Sequence, residues 1–346
     1  MLHRRGDMKI LLIGGTGTIS TAITALLAKR GTDQVWVLNR GNRSSSLPDG
    51  VKQLVADAYD KDSFAKAVEG KDFDVAAYFI GFDVKQVAVA HDVLKGKVGQ
   101  FIFISSASAY EKPPKNWLIT EDTPLINPFW EYSRKKAEIE KYLMDKYESE
   151  CFPVTIVRPS HTYCERSVPV GLHGANGSWQ VLKRMIDGKP VIVHGDGTSL
   201  WTMTDSRDFA KAFVGLFGKK QALGQAFHIT SDESIPWNQI YTDIADALST
   251  ILGRSVKPVL KHVASDTIIR EGVKFGYNDM EGNLLGDKAN SVVFDNSKLK
   301  SVVPTFKAEI SHKDGTLRAV RFILDHPDLQ IEDPAFDAFC DHLAKL

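Results

Sequence analysis

No apolar run in this sequence approaches the roughly 20 residues that a bilayer-spanning helix needs. The longest lie around Lys9–Gly15 and Gln100–Ile104, so a helical membrane anchor is not expected. Cysteine is scarce: Cys151, Cys164 and Cys340 have no CxxC spacing and cannot all pair, which suits reduced thiols in a cytoplasm. Neither sign of charge is in excess, because 43 Lys and Arg balance 43 Asp and Glu. Without a global field to gather phosphate backbones or anionic lipid, neither nucleic acid nor membrane is an expected partner. Repeats and low-complexity segments are absent, and His194, beside Gly195-Asp-Gly197, has no ligand partner at metal spacing, so no metal is expected. Residues 1–7 carry three basic side chains ahead of an apolar run that breaks into glycines with no small-residue cleavage site. They read as a leader and not as a signal peptide.

What is present is length and rhythm. A chain of 346 residues is enough for a large α/β domain with a second lobe. Short β-branched runs alternate with helical patterns: residues 8–13, 34–38, 51–55, 75–80 and 101–105 read as strands, with helices between them. This is repeated βαβ, so a doubly wound parallel sheet with helices on both faces is expected. A polar, proline-containing stretch, 111–128, precedes a long helix from Glu131, and a loop of that length is usually functional. The boundaries expected are a nucleotide-binding domain over 8–165, completed by strand returns at about 190–230. A smaller interleaved lobe takes 166–189 and 231–333, and 334–346 form a terminal helix packed on the surface. Within the lobe, the turn formers of Gly286–Ser291 suggest a substrate-facing loop.

Glycines 14, 15 and 17 fall between the first strand and an amphipathic helix. There the backbone must turn tightly and let a pyrophosphate approach the amides at the helix N-terminus, expected to be those of Thr18 and Ile19. With the alternation that follows, Gly14 and Gly17 mark a Rossmann-type dinucleotide site. Ser20 replaces the third glycine and is expected to loosen helix–strand packing slightly. The second strand ends Leu38-Asn39-Arg40, with no acid to hold a ribose 2′-hydroxyl, while Arg40 and Arg43 could meet a 2′-phosphate. NADP(H) is therefore favoured, with NAD(H) as the alternative if the two arginines are only solvated loop charges. Asp57, after the third strand, is placed to reach an adenine amino group.

Tyr132 and Lys136 stand four apart on one helix face. An ammonium beside a phenol favours the phenolate, which a base for alcohol oxidation needs. Tyr142 and Lys146 repeat the spacing on the same helix, about 15 Å further along, and serve as an internal control. Tyr132 is distinguished by the serines at the end of Phe101-Ile-Phe-Ile-Ser-Ser-Ala-Ser-Ala-Tyr110, since ligands bind at the carboxyl ends of parallel strands.

Over residues 8–230 these features resemble the extended short-chain dehydrogenase/reductases, the group of nucleotide-sugar epimerases and dehydratases. The glycine turn, the Asp57 segment, Ser105–Tyr110, Tyr132/Lys136, Arg158-Pro-Ser-His-Thr-Tyr-Cys-Glu-Arg166 and Asp208-Phe-Ala210 occur in the family's order. The resemblance implies that Ser106, four residues before Tyr110, hydrogen-bonds the substrate oxygen, with Ser108 as the fallback. It implies that Tyr132 moves the proton, that Lys136 tunes it and holds the nicotinamide ribose, and that Ala58, Pro159 and His161 line the cofactor. A sugar or nucleotide-sugar substrate and a homodimer follow by the same resemblance.

Departures from the family narrow the reaction. Sugar 4,6-dehydratases carry an Asp-Glu pair where this chain has Ala107 and Ser108, so dehydration is not expected. The family's diphosphate-gripping arginine is replaced by Trp201, which either stacks on a sugar or base or is a plain core tryptophan. Arg166 is retained and could meet an anionic substrate group, and His161 is either structural or an added acid/base group. The competing class is a superfamily member that binds RNA or senses NADP. Zero net charge and the intact Ser106, Tyr132 and Lys136 argue against it.

Overall fold

The computed structural model describes residues 7–41 and 47–346, so residues 1–6 of the expected leader, and Arg43, lie outside the described residues. Seven parallel strands build the central sheet: β1 (Lys9–Ile13), β2 (Gln34–Asn39), β3 (Lys52–Val55), β4 (Val75–Tyr78), β5 (Phe101–Ile104), β6 (Val154–Pro159) and β7 (Gln225–Ile229). Their spatial order is β7-β6-β5-β4-β1-β2-β3. The order reverses between β1 and β4, and a crevice opens outside the carboxyl ends of such strands.

The strands read as continuous apolar runs because both sheet faces are covered. Successive side chains point to opposite faces. Ile10 and Leu12 pack with Ile23 and Leu27 of α1 (Ser20–Arg30) and with Phe209 and Phe213 of the helix Ser206–Gly215. Leu11 and Ile13 face the other way, toward Phe64 of α2 (Lys61–Ala67), Val87 and Leu94 of α3 (Val84–Leu94), and Ile139 and Leu143 of α4 (Glu131–Glu150).

The second lobe has its own core around Trp237, Tyr241, Ile244, Phe336 and Phe339. Residues 190–194, expected to return to the main sheet, instead pair in parallel with Val259–Val263 inside this lobe. An apolar run of five residues specifies a buried strand but not which sheet buries it. The terminal helix Pro334–Ala344 is likewise more than a surface element. Phe336, Phe339, Cys340 and Leu343, at helical spacing, are buried in the lobe's core. Among the described residues no helix is long and apolar enough to cross a membrane, and no group of three His, Cys, Asp or Glu could hold a metal ion.

Candidate functional site

The glycine turn closes β1 against α1. Gly14 has φ +86°, and a Cβ there would meet Ile80 Cγ2 at 2.6 Å; one on Gly15 would meet Val37 at 2.8 Å. Ser20 does not loosen this turn, contrary to expectation. It is buried, its hydroxyl donates to the Gly14 carbonyl (2.7 Å) and accepts from the Gly17 amide (2.8 Å), and so it ties the loop. Asp60 and Asp83 cap α2 and α3, whereas α1 has no side-chain cap, so its first turn, with Thr18 exposed and Ile19 at the cap position, keeps its dipole available to an anion. Beside it a cavity of about 260 Å³ is lined by Gly14, Gly17, Arg40, Asp57, Ala58 and Tyr59. Tyr59 closes it by donating to the Ile80 carbonyl (2.6 Å). These residues fit the adenosine and phosphate end of a nicotinamide dinucleotide.

A second cavity, of about 370 Å³, opens at the ends of β5 and β6 and is lined by Ile19, Ser106, Ser108, Tyr132, Lys136, Pro159, His161 and Trp201 among others. Strand β5 delivers the serines, and a 3-10 turn over Ala107–Ala109 folds them back. Ser106 caps that turn through the Ser108 amide, and the two hydroxyls lie 2.8 Å apart. Ser108 also accepts from Ser133 (2.7 Å), so the serine expected as a fallback is engaged in holding the loop to α4.

Tyr132 lies on the first turn of α4, half-buried, with Trp130 against it at 5.0 Å between ring centroids. Burial pushes its phenol up to about 12, while the neighbouring Ser106 hydroxyl pulls the other way. This reverses the expectation that Lys136 would lower it. Lys136 Nζ donates to the carbonyls of Gly81 (2.7 Å) and Ile104 (2.8 Å) and lies 5.6 Å from the Tyr132 ring centroid. Burial pushes this lysine down to about 7, opposed by Glu140. Desolvation outweighs the pairwise attraction for both groups.

Of the other expected residues, Pro159, His161 and Trp201 line this second cavity, whereas Arg166 is exposed, faces Asp328 at 3.7 Å and lies outside both linings. Burial, with Lys288, His173 and His312 adding to it, pushes His161 down to about 3, so its ring is neutral at ordinary pH. Trp201 is 3% exposed and leans on Trp237. The Gly286–Ser291 loop, suspected of facing substrate, does reach the cavity through Asp287.

Sequence reasoning missed Lys112, Trp130, Ser133 and the polar support behind α4. There Glu140 accepts from Ser105 and, at 2.6 Å, from Arg158, which also donates to Tyr110 (3.1 Å). Asn127 joins the lobes, donating to the carbonyls of Ser108 and Gly286, each at 2.7 Å. The spacing of Glu140 one turn after Lys136 was the signal available for that support; Lys112 and Asn127 had none.

Sheet order, glycine turn and crevice together define a Rossmann-type α/β protein. The chain belongs to the NAD dependent epimerase/dehydratase family, whose profile matches residues 10–229. It is 25% identical over 253 residues to the 2′-dehydrokanamycin reductase of Streptomyces kanamyceticus, covering 73% of this chain and 69% of that one. Among solved structures it is similar to an epimerase from Methanothermobacter thermautotrophicus (TM-score 0.71, 16% identity, 94% and 95% of the two chains). It is also similar to the UDP-glucose 4-epimerase of Bifidobacterium longum, solved with NAD+ and UDP (0.69, 20%, 92% and 99%).

Proposed function

We propose that the protein is an NADP(H)-preferring oxidoreductase that reduces a ketone of a sugar, or oxidises the corresponding alcohol, through Ser106, Tyr132 and Lys136. The observation that carries this reading is that Ser106, Tyr132 and Lys136 line one cavity at the ends of β5 and β6. A bound nicotinamide would supply the hydride for reduction and accept it in oxidation. Ser106 donates to the substrate oxygen, and Tyr132 delivers or takes the proton at that same oxygen. A phenol held near 12 is protonated at neutral pH, the form that gives a proton to the alkoxide produced by reduction. Lys136, anchored on the Gly81 and Ile104 carbonyls, fixes the floor of the site and would hold the nicotinamide ribose. Gly14, Gly17, Thr18, Ile19, Asp57 and Ala58 hold the rest of the dinucleotide, and Arg40 takes a 2′-phosphate.

The similarity to a 2′-dehydrokanamycin reductase, together with Trp201 in place of the diphosphate arginine, favours net reduction of a sugar not carried on a nucleotide. The second reading, epimerisation through a keto intermediate re-reduced from its other face, is supported by the family and uses the same residues. Ala107 and Ser108 supply no acid–base pair for dehydration.

Titration with NADPH and NADH, followed by nicotinamide fluorescence, tests the cofactor end. Arg40→Asp should weaken NADPH by about tenfold or more and spare NADH, as loss of a charge-assisted contact predicts. Equal binding of both nucleotides by both proteins would remove the NADP assignment. Net consumption of NADPH with a keto-sugar separates reduction from epimerisation.

A further inference from the structure

Hydride transfer leaves three polar groups on the wall of the catalytic cavity without a task. Lys112, on the long loop after β5, is 3% exposed, and its Nζ has no hydrogen-bond partner. Trp201 is equally buried, and although its ring packs on Trp237 at 5.4 Å, its Nε1 is also unpartnered. Asp287 reaches the same cavity from the second lobe. It sits close enough to Lys112 and to Tyr132 to bias both titrations, yet Lys112 bonds to neither of its oxygens.

Buried donors are almost always satisfied, and an unpaired buried ammonium is costly. Two such donors, one on the loop after β5 and one on the short strand Leu200–Trp201, on one cavity wall beside a carboxylate, describe a slot whose missing member is a ligand atom. Its chemistry is constrained from both sides. The group must accept from Lys112 or Trp201 and donate to Asp287. A carboxylate or phosphate would satisfy the lysine but face Asp287, and an ammonium would face Lys112. A hydroxyl does both at no charge cost.

We infer that Lys112, Trp201 and Asp287 form a specificity subsite for a neutral hydroxyl of the substrate, distinct from the oxygen handled by Tyr132 and Ser106, so that the substrate is a polyhydroxylated ring recognised by an uncharged hydroxyl. The inference rests on the sugar-oxidoreductase reading above. The π-helical turn Leu284–Lys288, which carries Asp287, packs against Trp130. Gly282 and Gly286 leave the space that Trp130 fills, and a Cβ on either would run into its ring or side chain.

The test uses the full chain saturated with NADP+ and the probes methyl α-D-glucopyranoside, its 2-, 3-, 4- and 6-deoxy analogues, methyl α-D-glucuronide and methyl α-D-glucosaminide. Affinities are read by saturation-transfer NMR. The neutral glycoside should bind best, and one deoxy analogue should bind about tenfold more weakly, as expected for a hydrogen bond to a charged group. Lys112→Met and Asp287→Asn should each lose about the same factor and no longer distinguish that analogue from the parent. NADPH titration of each variant reports that it has folded. The inference is overturned if both variants keep wild-type affinity and discrimination, if a charged glycoside binds more tightly than the neutral one, or if no glycoside binds to protein that binds NADPH. Wild-type protein that fails to bind NADPH removes the oxidoreductase reading itself, and the subsite falls with it.

Discussion

Helix α4 carries the same pattern twice, Tyr132, Lys136 and Glu140, then Tyr142, Lys146 and Glu150, and the two copies meet opposite fates. The first copy is enclosed: Lys136 is held by two strand-end carbonyls and Glu140 by Arg158. The second lies toward solvent, with Lys146 paired to Glu150, which also takes Lys95, and with Tyr142 leaning edge-on against His91. Ten residues displace the second copy by about 15 Å and rotate it by roughly 80°, away from the carboxyl ends of β5 and β6. Spacing along a helix supplies a pair of neighbours; what the pair can do depends on what the sheet delivers opposite it.

The comparison breaks most sharply at the tyrosines. Tyr132→Phe should lower turnover by about 10²–10⁴-fold, the usual worth of a positioned proton donor, while Tyr142→Phe leaves it within about twofold. Comparable losses from both, measured as initial rates of NADPH oxidation, would make the active-site assignment wrong.

The glutamates separate next. Removing one partner of a buried pair strands the other charge, so Glu140→Gln should cost about 3–5 kcal/mol of stability in urea unfolding. Glu150→Gln, at a partly exposed pair, should shift the urea midpoint far less.

The lysines give the smallest and most diagnostic effect. Burial holds Lys136 at about 7 in the cofactor-free folded chain against 10.5 in the unfolded one, so between these values the unfolded chain binds more protons and stability rises with pH. Relative to wild type, Lys136→Met should flatten the gain in urea midpoint from pH 7 to pH 9, whereas Lys146→Met should preserve it. An unchanged slope in Lys136→Met would mean that the lysine stays charged in the folded chain.

The parallel sheet, the glycine turn and the ends of its strands were legible because apolar periodicity and glycine placement are local and survive into the fold. Spacing marked Tyr132 and Lys136 and the family resemblance marked Ser106, and all three line one cavity. Two local inferences did not survive. Ser20 tightens the turn because a hydroxyl there reaches two backbone groups that a glycine could not. Lys136 fails to lower Tyr132 because both are desolvated, a property of the surrounding chain and not of their separation.

The sequence by itself determined the βαβ order, the dinucleotide turn and the pairing of tyrosine with lysine, since each depends on residues within about twenty positions of one another. Only the tertiary structure decided which Tyr–Lys pair is enclosed, that residues 190–194 join the second lobe, and that Lys112, Trp201 and Asp287 share a cavity wall. Those outcomes depend on contacts between residues up to 175 positions apart in the chain, from Lys112 to Asp287, and on burial, and neither has a period that can be read along a single strand or helix.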